Sequence, residues 1–381
     1  MKNVLPILFL VLLTACSGQH KGESVAEPLS NALPDSSMTL HYAIGFKVDY
    51  FQHYKRIILA DPWKKSSELV RYYLAENDQV QVPADGIRIR IPVRSLVSGS
   101  CTQYTFLEQL GEIAAVKGIC DAKTIYNSAL RQAVRKGSIA DLGDPFQINV
   151  ERCLVLKPEA MLMNSFNQQD EHLSRVRESG IPVLYDNEWM EPGLLARAEW
   201  IRFIACLFNK EALADSLFQA VSSNYERLKK LASSSCSVKP EVLSGDDFRG
   251  TWYLPGGRSF TAQLFRDAGA LYKYRNDTTS GSRPFTFEQI LKDFNRADVW
   301  VGVTNGNSLE TLQKRDERYT LFQSFRKGNV YAYTNRTTPE GGNDFWESAV
   351  ARPDALLSDF IKVFHPELLP EAPWHYLKKL R

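Results

Sequence analysis

The sequence predicts two α/β lobes bridged by one long helix, with a β-rich N-terminal extension. Three observations carry that expectation. From about residue 94 onward, short apolar runs alternate with longer helical patterns, the rhythm of βαβ units and therefore of a mostly parallel sheet covered on both faces. The rhythm occurs twice, on either side of a helical pattern over Glu211 to Leu231 that no Pro or Gly interrupts. Residues 39 to 96 read differently, as strands in series. The 381 residues suffice for about two lobes of roughly 150 residues each.

In chain order, strands are expected over His41–Phe51, Tyr54–Ala60, Leu69–Ala75 and Arg88–Leu96, an antiparallel series in which Ile87, Ile89, Ile91 and Val93 alternate with polar partners. Arg94–Val97 leads into a helix over Thr102–Leu110 and a strand over Ala114–Ile119. Leu154–Leu156 and Ala160–Met163 frame Lys157-Pro158-Glu159, and the helix His172–Ser179 precedes the strand Ile181–Tyr185. Leu194, Ala198, Ile201, Ala205 and Phe208 then share one helical face; Leu213, Leu217, Val221, Leu228 and Leu231 share the next. That second helix would be about 30 Å long. Ser233-Ser234-Ser235-Cys236-Ser237 breaks it, and a second α/β set follows, ending in a helix from about Ser348 to Phe364. The boundaries are therefore 39–209 for the first lobe with its extension, 210–232 for the bridging helix and 233–381 for the second lobe.

The first residues read as a targeting segment. Lys2 is basic, Val4 to Leu13 is apolar but too short to span a bilayer, and Leu13-Thr14-Ala15-Cys16 follows at once. This resembles the lipobox of bacterial lipoproteins, which implies a signal peptide over 1–15, a lipidated Cys16, and a polar tether over 16–38. Acyl chains contribute about 0.8 kcal/mol per buried CH₂, enough for a multiply acylated Cys16 to hold the chain on a membrane.

Composition excludes several classes. With 46 Lys+Arg against 44 Asp+Glu there is no electrostatic footprint for nucleic acid. HExxH, GxSxG, P-loop and GxGxxG signatures are missing. Apart from Cys16, five cysteines stand at wide, irregular spacing, unlike a disulfide framework or a zinc site. In an oxidising envelope Cys101 and Cys120, at the ends of neighbouring predicted strands, are the one candidate pair.

Specific residues carry a resemblance. Asn149 to Glu159 followed by Gly180-Ile181-Pro182-Val183, Gly250 to Gly257 followed by Asp267-Ala268-Gly269-Ala270, and Phe285 to Leu291 before Ala297 to Val301 resemble, in order and spacing, class III periplasmic substrate-binding proteins of ABC importers. The similarity covers roughly residues 90 to 365. It implies a carrier in the periplasm-facing cell envelope that captures an iron-siderophore, haem or cobalamin between its lobes, needs no resident cofactor and performs no catalysis. It further implies that one exposed Glu on each lobe, Glu151 and Glu288, docks onto arginines of the permease subunits. At helix starts, both carboxylates would also satisfy the positive helix end.

For the cleft, the family pattern of aromatic walls with a few polar groups points to Tyr126 and Phe146 from the first lobe, to Trp252, Tyr253, Arg258, Arg283 and Phe285 from the second, and to Arg336 and Arg352 near its far end. Pro255-Gly256-Gly257-Arg258-Ser259 is the best physical case, because a Gly turn opening a helix exposes N–H groups that suit an anion. Phe345-Trp346 and Trp374 read as packing residues. The arginines favour an anionic ferric siderophore over the nearly neutral corrinoid. Haem through an axial His is disfavoured because His41, His53, His172, His365 and His375 fall outside the expected cleft turns; a Tyr ligand such as Tyr253 stays open. Two readings of other classes are an adhesive or structural surface lipoprotein, and a hydrolase using Glu151 and Glu288. The second is opposed by their placement on different lobes.

Overall fold

The computed structural model describes residues 32–166, 170–235, 238–304 and 307–381. The signal segment, Cys16, most of the tether and Cys236 lie outside the described residues. Within them, the extension forms a five-stranded sheet, β1 (Ser36–Ser37), β2 (Phe46–Tyr50), β3 (Tyr54–Ala60), β4 (Glu68–Ala75) and β5 (Ile87–Arg90), in that spatial order. The expected antiparallel series holds through β4. It fails at β5, which pairs parallel to β4 with Tyr72 opposite Ile87, because residues 76–86 carry the chain back to the start of β4. Pro92, which lacks an N–H, ends the segment, so the expected strand Arg88–Leu96 divides and Leu96 opens a different sheet.

That next sheet belongs to the first lobe and is parallel throughout: β6 (Leu96–Ser98), β7 (Val116–Ile119), β8 (Ala140–Asp141), β9 (Ala160–Met163) and β10 (Val183–Tyr185), in the order β10-β9-β6-β7-β8. The second lobe has β11 (Val242–Ser244), β12 (Asp247–Phe248), β13 (Thr251–Pro255), β14 (Ser282–Phe285), β15 (Val299–Val303), β16 (Val330–Ala332) and β17 (Lys378–Lys379). There β11-β15-β16 are parallel with β17 antiparallel at the edge, while β12-β13-β14 form a separate antiparallel sheet.

The bridging helix runs from Glu211 to Ser235, 25 residues. Its first half buries Ala214 and Phe218 in the first lobe's core, and its second half buries Tyr225, Leu228 and Ala232 in the second lobe's. Leu213, expected on the apolar face, is instead exposed. The two cores exchange residues at the base. Leu194 and Leu195 pack in the second lobe's core, Val350 and Ala351 in the first's, and Arg197 lies over the Phe260 ring at 4.8 Å. The terminal helix, expected from about Ser348, starts at Pro353 and runs to Phe364, opened by a proline at its first position, where the missing N–H costs nothing; a separate short helix, Asp344–Ser348, precedes it.

The extension is bound into the first lobe. The Glu199 carboxylate accepts the N–H groups of His41, Tyr42 and Ala43, and Glu191 accepts those of Ile44 and Gly45 together with the Trp200 indole N–H. Tyr72 accepts from the Tyr185 N–H at 3.0 Å and donates to the Val183 carbonyl at 3.2 Å, fastening the extension to β10. Val48, Ile57, Leu59, Tyr72 and Leu74 share a core with Phe203 and Ile204. The extension thus covers the lobe's flank.

Candidate functional site

Ligands of open parallel sheets bind beyond the carboxyl ends of the strands. Those ends in the first lobe are Gly99-Ser100-Cys101 after β6, Cys120-Asp121 after β7 and Asn164 after β9. All of them line a cavity of about 380 Å³ closed on its other side by Gly341, Asn343, Trp346 and Glu347 of the second lobe. Its apolar wall includes the rings of Phe146 and Phe166, 4.9 Å apart, and Phe166 is backed by Trp189 at 5.8 Å. Phe146 is 61% exposed and Trp346 55%, large apolar surfaces left open where the chain could have buried them. Met163, Tyr104 and Ile125 complete that wall.

A second, polar cavity of about 580 Å³ adjoins the first, and Glu347 lines both. Tyr126, Arg131, Arg336, Arg352 and His375 contribute to it, with Glu108 and Asp344. Each arginine has an acid partner: Arg336 with Asp344 at 3.0 Å, Arg352 with Asp354 at 2.9 Å and Arg131 with Glu340 at 3.6 Å. Between the cavities the second lobe's segment 336–347 grips the first. Glu347 accepts the N–H groups of Tyr126 and Asn127, the latter at 2.9 Å, and Arg336 lies over the Tyr126 ring at 5.4 Å. Gly342 comes so close to the Ile125 carbonyl that a Cβ there would stand 2.4 Å from its oxygen. Burial pushes the Glu347 carboxyl up to about 7, against the pull of the two N–H donors.

The candidate residues from the sequence divide accordingly. Phe146 lines the apolar cavity, and Tyr126, Arg336 and Arg352 line the polar one. Trp252, Tyr253, Arg258, Arg283 and Phe285 line neither. Trp252 is fully buried, its indole N–H donating to the Ser244 carbonyl at 2.8 Å among Trp300, Tyr319 and Phe322. A β-strand alternates its faces, so Tyr253 next to it points the other way and stands exposed. Arg283 pairs with Asp277 at 2.7 Å, and Phe285 packs on Tyr274 at 5.0 Å. The Gly256-Gly257 turn is not open to an anion. Residues 274–281 of the same chain lie on it, with Gly256 donating to the Gly281 carbonyl, Arg258 donating to that of Thr279, and the Gly257 N–H directed to the Asp277 carboxylate.

Trp346 corrects the expectation that it packs. Phe345 does pack, stacked on Tyr333 at 4.0 Å, and Trp374 lies against Tyr331, but the odd residue of the pair turns into the cleft. His375, expected outside the cleft, lines its polar half. Cys101 and Cys120 are both free thiols rather than a bridge, and burial pushes each up to about 12. Strand ends Cys101, Cys120, Asp121 and Asn164 were findable from the strand-end rule; Trp346 and Glu347 sit in the five-residue helix Asp344–Ser348, too short for periodicity to give a signal.

Glu151 and Glu288 occupy matching places. Each is the second residue of a helix, after a side-chain cap: Asn149 accepts from the Arg152 N–H and Thr286 from the Gln289 N–H. Both carboxylates are held below the usual range, first by their own backbone N–H groups. Each side chain is 76% exposed.

Among the described residues no group of three or more His, Cys, Asp or Glu is placed to hold a metal ion, and no helix is long and apolar enough to cross a membrane. Comparison with known proteins adds the following. A family model described as periplasmic binding protein matches residues 98–337. An uncharacterized lipoprotein of Methanocaldococcus jannaschii, MJ0878, is 23% identical over 363 residues, 89% of this chain and 85% of that protein. Among solved structures, a possible iron-binding (periplasmic solute-binding) protein of Staphylococcus epidermidis is similar with a TM-score of 0.55 at 18% identity, covering 71% of this chain and 98% of the other. A periplasmic heme-binding protein of Pseudomonas aeruginosa is similar with a TM-score of 0.56 at 15% identity, covering 72% and 93%. At such identities the likeness is one of fold.

Proposed function

The chain belongs to the periplasmic binding protein family, and on that premise we propose that it captures a flat, largely apolar metal chelate of the ferric-siderophore, haem or corrinoid kind in the cleft between its lobes and hands it to an ABC permease. The observation that carries the reading is the apolar cavity at the carboxyl ends of the first lobe's strands, walled by Phe146, Phe166 and Trp346 and of a size that suits small-molecule cargo. The charges refine it. The cavity's described lining holds two acids, Asp121 and Glu347, and neither Arg nor Lys, while Arg258 and Arg283 stand elsewhere. A strongly anionic siderophore loses the support that those arginines lent it, and a neutral or cationic chelate, or one whose anionic arms reach Arg131, Arg336 and Arg352 in the polar cavity, fits better. Glu151 and Glu288, one per lobe and both exposed, are the permease-docking carboxylates in this reading, and Cys16 is the lipid anchor that keeps the carrier at the envelope.

The test is a thermal-shift panel of ferric siderophores of differing charge, haem and corrinoids. A ligand at 100 times its Kd adds roughly 2.7 kcal/mol of apparent stability. A shift with at least one chelate is expected; no shift across the panel would contradict the reading.

A further inference from the structure

Each of the two matched glutamates already has an arginine of its own chain. Arg175 Nη2 stands 3.2 Å from Glu151 Oε1, and Arg318 Nη1 stands 3.6 Å from Glu288 Oε1. The arginines arrive from unrelated local structures. Arg175 lies on the helix Glu171–Glu178 that packs beside the Glu151 helix, whereas Arg318 lies in a short 3₁₀ turn, Glu317–Leu321. Arg318 is the more firmly built. Asp316 takes its Nε at 3.0 Å and its Nη2 at 2.8 Å, and the guanidinium lies 4.1 Å over the Phe287 ring, leaving Nη1 towards Glu288. Two lobes with different local folds thus deliver the same group to the same carboxylate at the same helix position. A helix N-terminus does not need this, since a first-turn acid is already satisfied by the helix end.

We infer that Arg175 and Arg318 are masks: each occupies the carboxylate that a permease arginine must take, so docking exchanges an internal ion pair for an external one. The inference rests on the docking role proposed for Glu151 and Glu288. Its consequence is a weak and reversible grip, as a shuttle that must leave after delivery requires. An unmasked carboxylate would attract the permease more strongly and at longer range at low salt. Exposed pairs of this kind are weak, which sets the gain from removing one mask at about 1.5- to 5-fold in affinity.

The experiment measures association of the full chain carrying Cys16→Ser, so that no lipid partitions, with right-side-out membrane vesicles from cells that make this protein and its permease, at 20 mM to 500 mM salt. Arg175→Gln and Arg318→Gln are each expected to tighten association about 1.5- to 5-fold at low salt and to converge on the unsubstituted arginines at high salt. Arg175→Lys and Arg318→Lys keep the charge and should restore masked behaviour. Glu151→Ala/Glu288→Ala should abolish association. If that double variant loses association but the Gln variants bind no more tightly than the parent, masking is wrong and docking stands. If the double variant associates like the parent, docking is wrong and masking falls with it. A merely structural role for the arginines would lower the variants' thermal stability and leave association unchanged or weaker.

Discussion

Replacing Glu347 with Gln should make the protein more stable at pH 8 and less stable at pH 5. The side chain is 2% exposed, and burial, with Asp344 and Glu108 nearby, pushes its carboxyl from an ordinary 4.5 up to about 7. That displacement corresponds to about 3 kcal/mol between the two protonation states. Because the folded value lies above the unfolded one, the folded chain keeps a proton that the unfolded chain has lost. The group's contribution is therefore fully favourable below about pH 4.5, falls as pH rises from there to 7, and above pH 7 the fold carries the whole cost of a buried charge. Gln removes that charge and keeps one acceptor, so one of the Tyr126 and Asn127 N–H groups loses its partner, at about 1–1.5 kcal/mol. The sum predicts a variant about 0.5 kcal/mol less stable than the parent at pH 5 and about 2 kcal/mol more stable at pH 8. Urea unfolding of both proteins at pH 5, 6, 7 and 8 measures it. A difference that stays constant over that range would mean that Glu347 does not titrate between the lobes.

Other expectations follow from the same geometry. Trp346→Ala should change stability by no more than about 0.5 kcal/mol while weakening cargo binding, whereas Trp252→Ala, which empties a buried ring site, should cost about 3–5 kcal/mol in denaturant unfolding. Cys101 and Cys120, both pushed up to about 12, should react with a disulfide reagent at pH 8 roughly a thousandfold more slowly than a free thiol, and mass spectrometry of the native protein should find neither in a bridge. The bridging helix, rooted in both cores, resists bending, so the scattering radius of gyration should barely differ between free and cargo-loaded protein; a large contraction would count against a rigid bridge. Glu151→Ala/Glu288→Ala should leave cargo affinity unchanged while uptake in cells falls.

The α/β rhythm, the bridging helix and the divided cores were legible in the sequence because apolar periodicity reports burial directly. Pairing direction was not, and the parallel β5 shows why: strands of one composition serve either direction, and the return path of residues 76–86 decides. The site was legible in part. Phe146, Tyr126, Arg336 and Arg352 were identified as candidates, and they do line the two cavities. The Gly256-Gly257 turn misled because a helix-opening turn looks the same whether its N–H groups await a ligand or already hold Asp277, twenty residues on. Trp252 and Trp346 misled for the same reason in opposite directions. An aromatic side chain serves a core or a cleft equally well, and only tertiary packing tells which.

In the proposed reading, cargo sits between the lobes against Phe146, Phe166 and Trp346. The direct measurement is equilibrium titration, by quenching of tryptophan fluorescence, of the chelate that gives the largest thermal shift, using the parent, Phe146→Ala, Trp346→Ala and, as a remote aromatic control, Tyr253→Ala. Loss of an aromatic contact is worth about 0.5–1.5 kcal/mol, so affinity should fall about 2- to 10-fold in each cleft variant and further in the pair, and stay at the parent value in Tyr253→Ala. Unchanged affinity in both cleft variants, or a loss confined to Tyr253→Ala, would place the cargo outside this cleft.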